Sequence, residues 1–159
     1  FFVDDYQFNR LWTNPDAYLD MLRRFKAVCT PDFSTYTDFP KAVQIWNHYR
    51  KHWLGAYWQG NGITVIPTIS WSDESSFEWC FDGEPVGGAV AVSSVGTQLN
   101  KRAAVLFRLG YDEMLRRLNP STIYFYGLVP EGISGPIVHV AAFQEQIKAR
   151  TTKPKESVV

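Results

Sequence analysis

Short apolar runs alternate along this chain with segments of helical periodicity, and each run ends in polar or acidic residues. The runs are Phe1–Val3, Ala27–Cys29, Ile63–Ile69, Ala89–Val92 and Thr122–Phe125. They are continuous rather than alternating, the mark of strands covered on both faces. They lead into Asp4–Asp5, Asp32, Ser70–Trp71–Ser72–Asp73, Ser93–Ser94 and Tyr126–Gly127. After a Gly-rich stretch, Gly127–Pro136, a sixth run spans Ile137–Ala141. Pro67 lies inside the third run. It cannot donate to a ladder, so that strand is expected to be unpaired or bulged on one side there.

The segments between are helical in pattern. Gln7–Lys26 carries Phe8, Leu11 and Trp12, then Tyr18, Leu19, Leu22 and Phe25. Asn14–Pro15–Asp16 interrupts it, with Asn14 as N-cap and Pro15 at the first helical position. A helix from Pro40 to about Gln59, capped by Asp38, places Ala42, Ile45, Trp46, Tyr49, Trp53, Ala56 and Tyr57 on one stripe, the expected core face. Gly60–Asn61–Gly62 stops it. A short helix is expected from Ser72–Asp73–Glu74 to Cys80. Asn100–Leu118 carries a second stripe of Ala103, Leu106, Phe107, Gly110, Met114 and Leu118.

Strands alternating with amphipathic helices predict parallel β–α units. The expected fold is α/β, a parallel sheet of five or six strands with flanking helices, arranged as a partial TIM barrel. An open doubly wound sheet fits the same pattern. Polar residues at the end of every strand, rather than at one switch point, favour the partial barrel. Residues 1–147 are expected to form a single domain and 148–159 a polar tail. The chain opens in mid-strand on Phe1 without Met, which predicts an upstream segment.

Composition narrows the function classes. Sixteen basic and sixteen acidic residues give a net charge of zero, so there is no whole-domain basic field for nucleic acid, though a local patch remains open. Two cysteines, Cys29 and Cys80, are too few for a disulfide scaffold. No signal peptide and no membrane-length apolar run occurs, so a soluble cytoplasmic protein with no membrane partner is expected.

The carboxyl ends of parallel strands meet on one edge, where ligands bind. This makes Asp5, Asp32 and Asp73 candidate catalytic acids, with Asp5 and Asp32 as candidate ligands of Mg²⁺ or Mn²⁺. Ser70, Trp71, Ser93 and Tyr126 are candidate binding residues on the same edge. Asp73 has a competing role as a helix cap, and Trp71 as core. Ser93–Ser94 before Val95–Gly96 lacks the glycines and Lys–Ser/Thr of a phosphate loop and reads as a turn. His48 and His52 have a metal-binding spacing, but Tyr49 stands where the zinc-protease pattern needs Glu; they read as a solvated basic face with Arg50 and Lys51. His139 lacks the His-apolar-His pattern of rolling-circle nucleases. No G-x-S-x-G elbow occurs, and nothing nearby lowers the pKa of Cys29. Arg50, among Trp46, Tyr49, Trp53, Tyr57 and Trp58, is a candidate nucleic-acid contact, and the aromatic helix face a candidate surface for a protein partner.

Residues 1–85, AVAVSSVGT at 89–97 and GYDEMLRRLNPSTIYFYG at 110–127 resemble an uncharacterised family of bacteria, archaea and their viruses, catalogued as domain of unknown function 4417. The resemblance rests on long strings and reaches about His139. It implies a protein of phages, plasmids or integrated elements, some carrying replication-related labels, and it supplies no catalytic residues. The expected function is nucleic-acid or nucleotide processing through a cleft at the strand carboxyl edge. A metal-assisted small-molecule hydrolase and a non-catalytic protein-binding adaptor are the alternatives.

Overall fold

The computed structural model describes residues 3–143, Glu145 and Ile147. The expected polar tail, and Phe1 and Phe2 of the first expected strand, lie outside the described residues. Val3 sits in a bend rather than a strand.

The chain is α/β, and every strand pairing is parallel. β1 (Val28–Cys29) pairs with β2 (Val65–Ile66). β3 (Ala89–Ser93), β4 (Thr122–Tyr126) and β5 (Ile137–Val140) form a second sheet in that order. The expected five- or six-stranded sheet is thus corrected to two small sheets, of two and three strands, rather than a partial barrel. Pro67 supplies the physical reason. Beyond Ile66, the Thr68 N–H donates to the hydroxyl of Thr30 (2.8 Å), and the Thr68 hydroxyl donates to the Thr30 carbonyl (2.7 Å). Side chains replace the ladder there. The same segment then turns to the other sheet: Ala91 N–H donates to Pro67 O and Ile69 N–H to Ala91 O, a single parallel bridge. The apolar run Ile63–Ile69 therefore serves two neighbours in succession.

Four helices among the described residues cover the sheets. α1 (Tyr6–Thr13) leads through a 3₁₀ turn, Pro15–Tyr18, into α2 (Leu19–Leu22), with Asn14 at the N-cap and Pro15 just inside. α4 (Lys101–Leu118) is capped by Asn100, whose side chain accepts from Ala103 N–H at 2.9 Å. It ends at Asn119 in the left-handed conformation, φ 41°. α3 (Lys41–Gly60) begins after Pro40 with no side-chain cap, so Asp38 does not play the expected capping role.

The stripe expected to face the core along α3 faces outward instead. Trp46, Tyr49 and Trp53 are 46%, 50% and 36% exposed, whereas Gln44, Asn47, Lys51, Leu54, Gly55 and Trp58 are buried. The outer aromatics satisfy one another. Trp46 stacks on Tyr49 and Trp53 on Tyr57, while Trp12 of α1 packs edge-on against Trp46 and Trp53. The buried polar side chains have specific partners. Gln44 donates to Tyr36 O and Phe39 O, and Asn47 to Ser34 O, pinning the loop after β1. Gly55 lets β1 come close: a Cβ there would lie 2.9 Å from Thr30 Cγ2.

Two apolar cores result. One gathers α1, α2, β1 and the second half of α3 around Phe8, Leu22, Leu54 and Trp58. The other gathers α4 and the three-stranded sheet around Val90, Phe107, Tyr111, Met114, Ile123 and Phe125. Between them run buried polar residues, Thr30, Lys51, Thr68 and Glu84. Lys51 Nζ donates to Thr68 O at 2.8 Å and to Glu84 Oε1 at 2.5 Å. This joins α3 to the residues that precede β3.

Trp71 packs against α4 at Gly110, donating its indole N–H to Leu106 O at 3.1 Å. A Cβ on Gly110 would fall 2.1–2.3 Å from the indole. On helix propensity alone Gly110→Ala gains about 1 kcal/mol. The packing predicts the opposite, a loss of about 1–3 kcal/mol by overpacking. Urea unfolding checks this; an unchanged or raised midpoint contradicts it.

Candidate functional site

One open cleft of about 1030 Å³ lies over the seam between the two cores. Its walls come from both sides. The residues before α1, including Asp4 and Asp5, and the loop 32–37 form one wall. Thr68–Ser72, Val92, Ser93, the loop that follows and the first turns of α4 form the other. The cleft is thus built where the carboxyl ends of β1, β3 and the Ile63–Ile69 segment come together.

Asp5, Asp32, Ser70, Trp71 and Ser93 all line this cleft. Tyr126 lines a smaller adjoining cavity of about 340 Å³ with Asp4 and Val95, and its hydroxyl accepts from Phe143 N–H at 3.0 Å. Asp73 and Arg50 line neither cavity.

The local bonds show what each side chain does. The Asp5 carboxylate accepts from Ser34 N–H at 3.1 Å and from Ser34 Oγ at 2.9 Å, so it fastens the loop after β1 to the start of α1. Asp73 caps the 3₁₀ turn Glu74–Glu78, accepting from Ser75 N–H at 3.0 Å. Ser93 Oγ accepts from Val95 N–H at 3.1 Å, and Thr97 N–H donates to Ser94 O at 3.0 Å. Those amides are spent within the turn. Arg50 turns inward. Its guanidinium lies 3.9 Å from the Phe33 ring centroid and donates to Asn47 Oδ1 at 2.5 Å.

The lining is acidic and aromatic. Asp4, Asp5 and Asp32 stand against a single Arg102, and Phe33, Tyr36, Trp71 and Phe107 complete the walls with several hydroxyls. Among the described residues no three acids lie close enough together at the cleft to share a cation; the trio at that spacing is His48, His52 and Glu84, away from it.

Sequence reasoning missed Glu84 and the burial of Lys51. Glu84 lies in a stretch that reads as a Gly/Pro turn, and Lys51 in one that reads as a basic face. Both are buried. Burial pushes the Glu84 carboxyl up, but Lys51 and His52 together outweigh it and hold the carboxyl below its ordinary range. Burial, then the Lys51 charge, holds His48 down at about 3. One sequence signal was available: Gly55 in mid-helix marks a close approach on the face that carries Lys51. The cysteines are poor nucleophiles, since burial pushes Cys80 up to about 11 and also raises Cys29.

These features define a parallel α/β domain with a ligand-sized cleft at the carboxyl edge of its strands. The chain belongs to the family described as a domain of unknown function, DUF4417, whose family model matches residues 1–144. It is 47% identical over 127 residues to the Gene 1 protein of Mycobacterium phage L5, covering 80% of this chain and 56% of that protein. To the Gene 1 protein of Mycobacterium phage D29 it is 45% identical over 127 residues, 80% of this chain and 47% of that protein. The chain thus spans about half the length of these curated relatives, and the family is phage-associated. No solved structure matches it significantly. Among the described residues no helix is long and apolar enough to cross a membrane.

The Asp5 bonds predict a structural role for that acid. Asp5→Ala is expected to cost about 1 kcal/mol, the net loss of part-buried hydrogen bonds, and to speed hydrogen exchange at the Ser34 amide. Unchanged exchange at Ser34 contradicts this.

Proposed function

We propose that the cleft binds a nucleotide, or the end of a nucleic-acid strand, with its phosphates carried by Mg²⁺ or Mn²⁺, and that the chain takes part in nucleotide or nucleic-acid processing. The observation that carries this reading is the meeting of acids and aromatic rings in one cavity. Aromatic walls suit a planar base, because every base has a face to stack. Three acids against one Arg102 repel a bare phosphate. They suit a hydrated divalent cation, which needs only one or two carboxylates beside the phosphates. Asp4, Asp5 and Asp32 line the cleft and can supply those. The volume, about 1030 Å³, is at the upper end for ligand pockets and admits a nucleotide.

A metal-assisted hydrolase would use the same acids and cation, with Asp32 positioning the attacking water. The adaptor reading rests on a different observation. Trp46, Tyr49 and Trp53 form an exposed, self-stacked patch that suits a protein partner.

Thermal unfolding tests the cleft. ATP or a short oligothymidylate with Mg²⁺, at about a hundred times its dissociation constant, is expected to raise the Tm by about 5–10 °C. Removing Mg²⁺ with EDTA, or substituting Asp32→Asn, is expected to abolish the rise. No shift with either ligand and Mg²⁺ contradicts the reading, as does a shift that persists in Asp32→Asn.

A further inference from the structure

We propose that His48, His52 and Glu84 form a binding site for one divalent cation of the zinc class, separate from the cleft. His48 and His52 stand one turn apart on α3, so their rings share a face, with centroids 4.3 Å apart. Glu84 reaches them from a tight turn. Gly83 takes φ +75° there and packs on the His52 ring, so that a Cβ would lie 3.3 Å from its Cε1 and Nδ1. The ligand atoms of the three residues lie within 4.8 Å of one another.

The donor set fits the cation. Two imidazoles and a carboxylate are the protein ligands of an open zinc site, which keeps its fourth position for water. Mg²⁺ and Ca²⁺ prefer all-oxygen surroundings and are disfavoured. Zinc bonds of about 2.0–2.2 Å at tetrahedral angles need donor atoms about 3.3–3.5 Å apart. The His52 ring, 29% exposed, can swing to close that gap and gives solvent a way in.

A second observation points to a ligand. Glu84 Oε2 and His52 Nε2 are buried without a hydrogen-bond partner. The His52 nitrogen is 3.0 Å from Glu84 Oε1, at ion-pair distance. Stranding buried polar atoms is costly, so native chains rarely leave them unpaired. Lys51 clarifies the assignment. It holds Glu84 Oε1 and Thr68 O, which leaves Oε2 for the cation. Its ammonium also opposes a further positive charge, so affinity falls short of a closed four-ligand site.

Titration of the chain with Zn²⁺ by calorimetry, and with Co²⁺ by visible absorption, tests the site. One equivalent of Zn²⁺ and the ligand-field bands of four-coordinate Co²⁺ are expected, with no displacement by excess Mg²⁺. His48→Ala and His52→Gln are each expected to weaken Zn²⁺ binding at least tenfold, since losing even an outer partner of a ligand costs 10–100-fold. Both keep the Lys51–Glu84 pair, so native circular dichroism is expected; if His48→Ala loses it, His52→Gln decides. Failure to bind one equivalent, or an unchanged dissociation constant in His52→Gln, overturns the proposal.

Discussion

The ion pair between Lys51 and Glu84 is the interaction on which the rest of this structure depends. Its two side chains are 2% and 0% exposed. Lys51 comes from the helix that belongs to one apolar core, and Glu84 from the turn that enters the other. The remaining contact of Lys51, to Thr68 O, catches the chain where it passes from one sheet to the next. Taking both charges out of water costs several kcal/mol per ion, which only close geometry and further hydrogen bonds offset. Pro67 and the Thr30–Thr68 hydroxyl bonds end the β1–β2 ladder, and a single bridge, Thr68 to Ala91, links the two sheets beside this contact.

The cleft follows from the same seam. Where the two sheets part, the strand ends are left without a shared apolar cover, and the loops after them line an open space. Asp5 and Asn47 both fasten Ser34, so the 32–37 wall is held from α1 and α3 together. Trp71 holds the opposite wall to α4 through Gly110 and Leu106. The walls are therefore braced by helices, while the floor is polar. Aromatic rings stand on both walls, with Asp4, Asp5 and Asp32 on one and Arg102 on the other.

The parallel α/β class was legible in the sequence, as were the break at Asn14–Pro15 and the long helix Lys101–Leu118, because each rests on local rules that tertiary contacts did not override. The strand-end principle also picked out Asp5, Asp32, Ser70, Trp71 and Ser93, which line one cavity. Helical periodicity failed on α3, where Trp46, Tyr49, Trp53 and Tyr57 hold the apolar spacing but stack on each other and on Trp12 at the surface. The buried face of Gln44, Asn47 and Lys51 carries hydrogen bonds to loops and to Glu84, which hydropathy cannot register. The single sheet failed for a related reason. An apolar run shows that a strand is buried, but not that its neighbour changes at Pro67.

A double-mutant cycle on Lys51 and Glu84, followed by urea unfolding, tests the central claim most directly. Lys51→Met and Glu84→Gln each strand one buried partner and are expected to cost about 3–5 kcal/mol. The double variant is expected to lose much less than the sum, a coupling of at least about 1.5 kcal/mol. Single losses below about 1 kcal/mol that simply add would mean that the seam is held by something other than this pair.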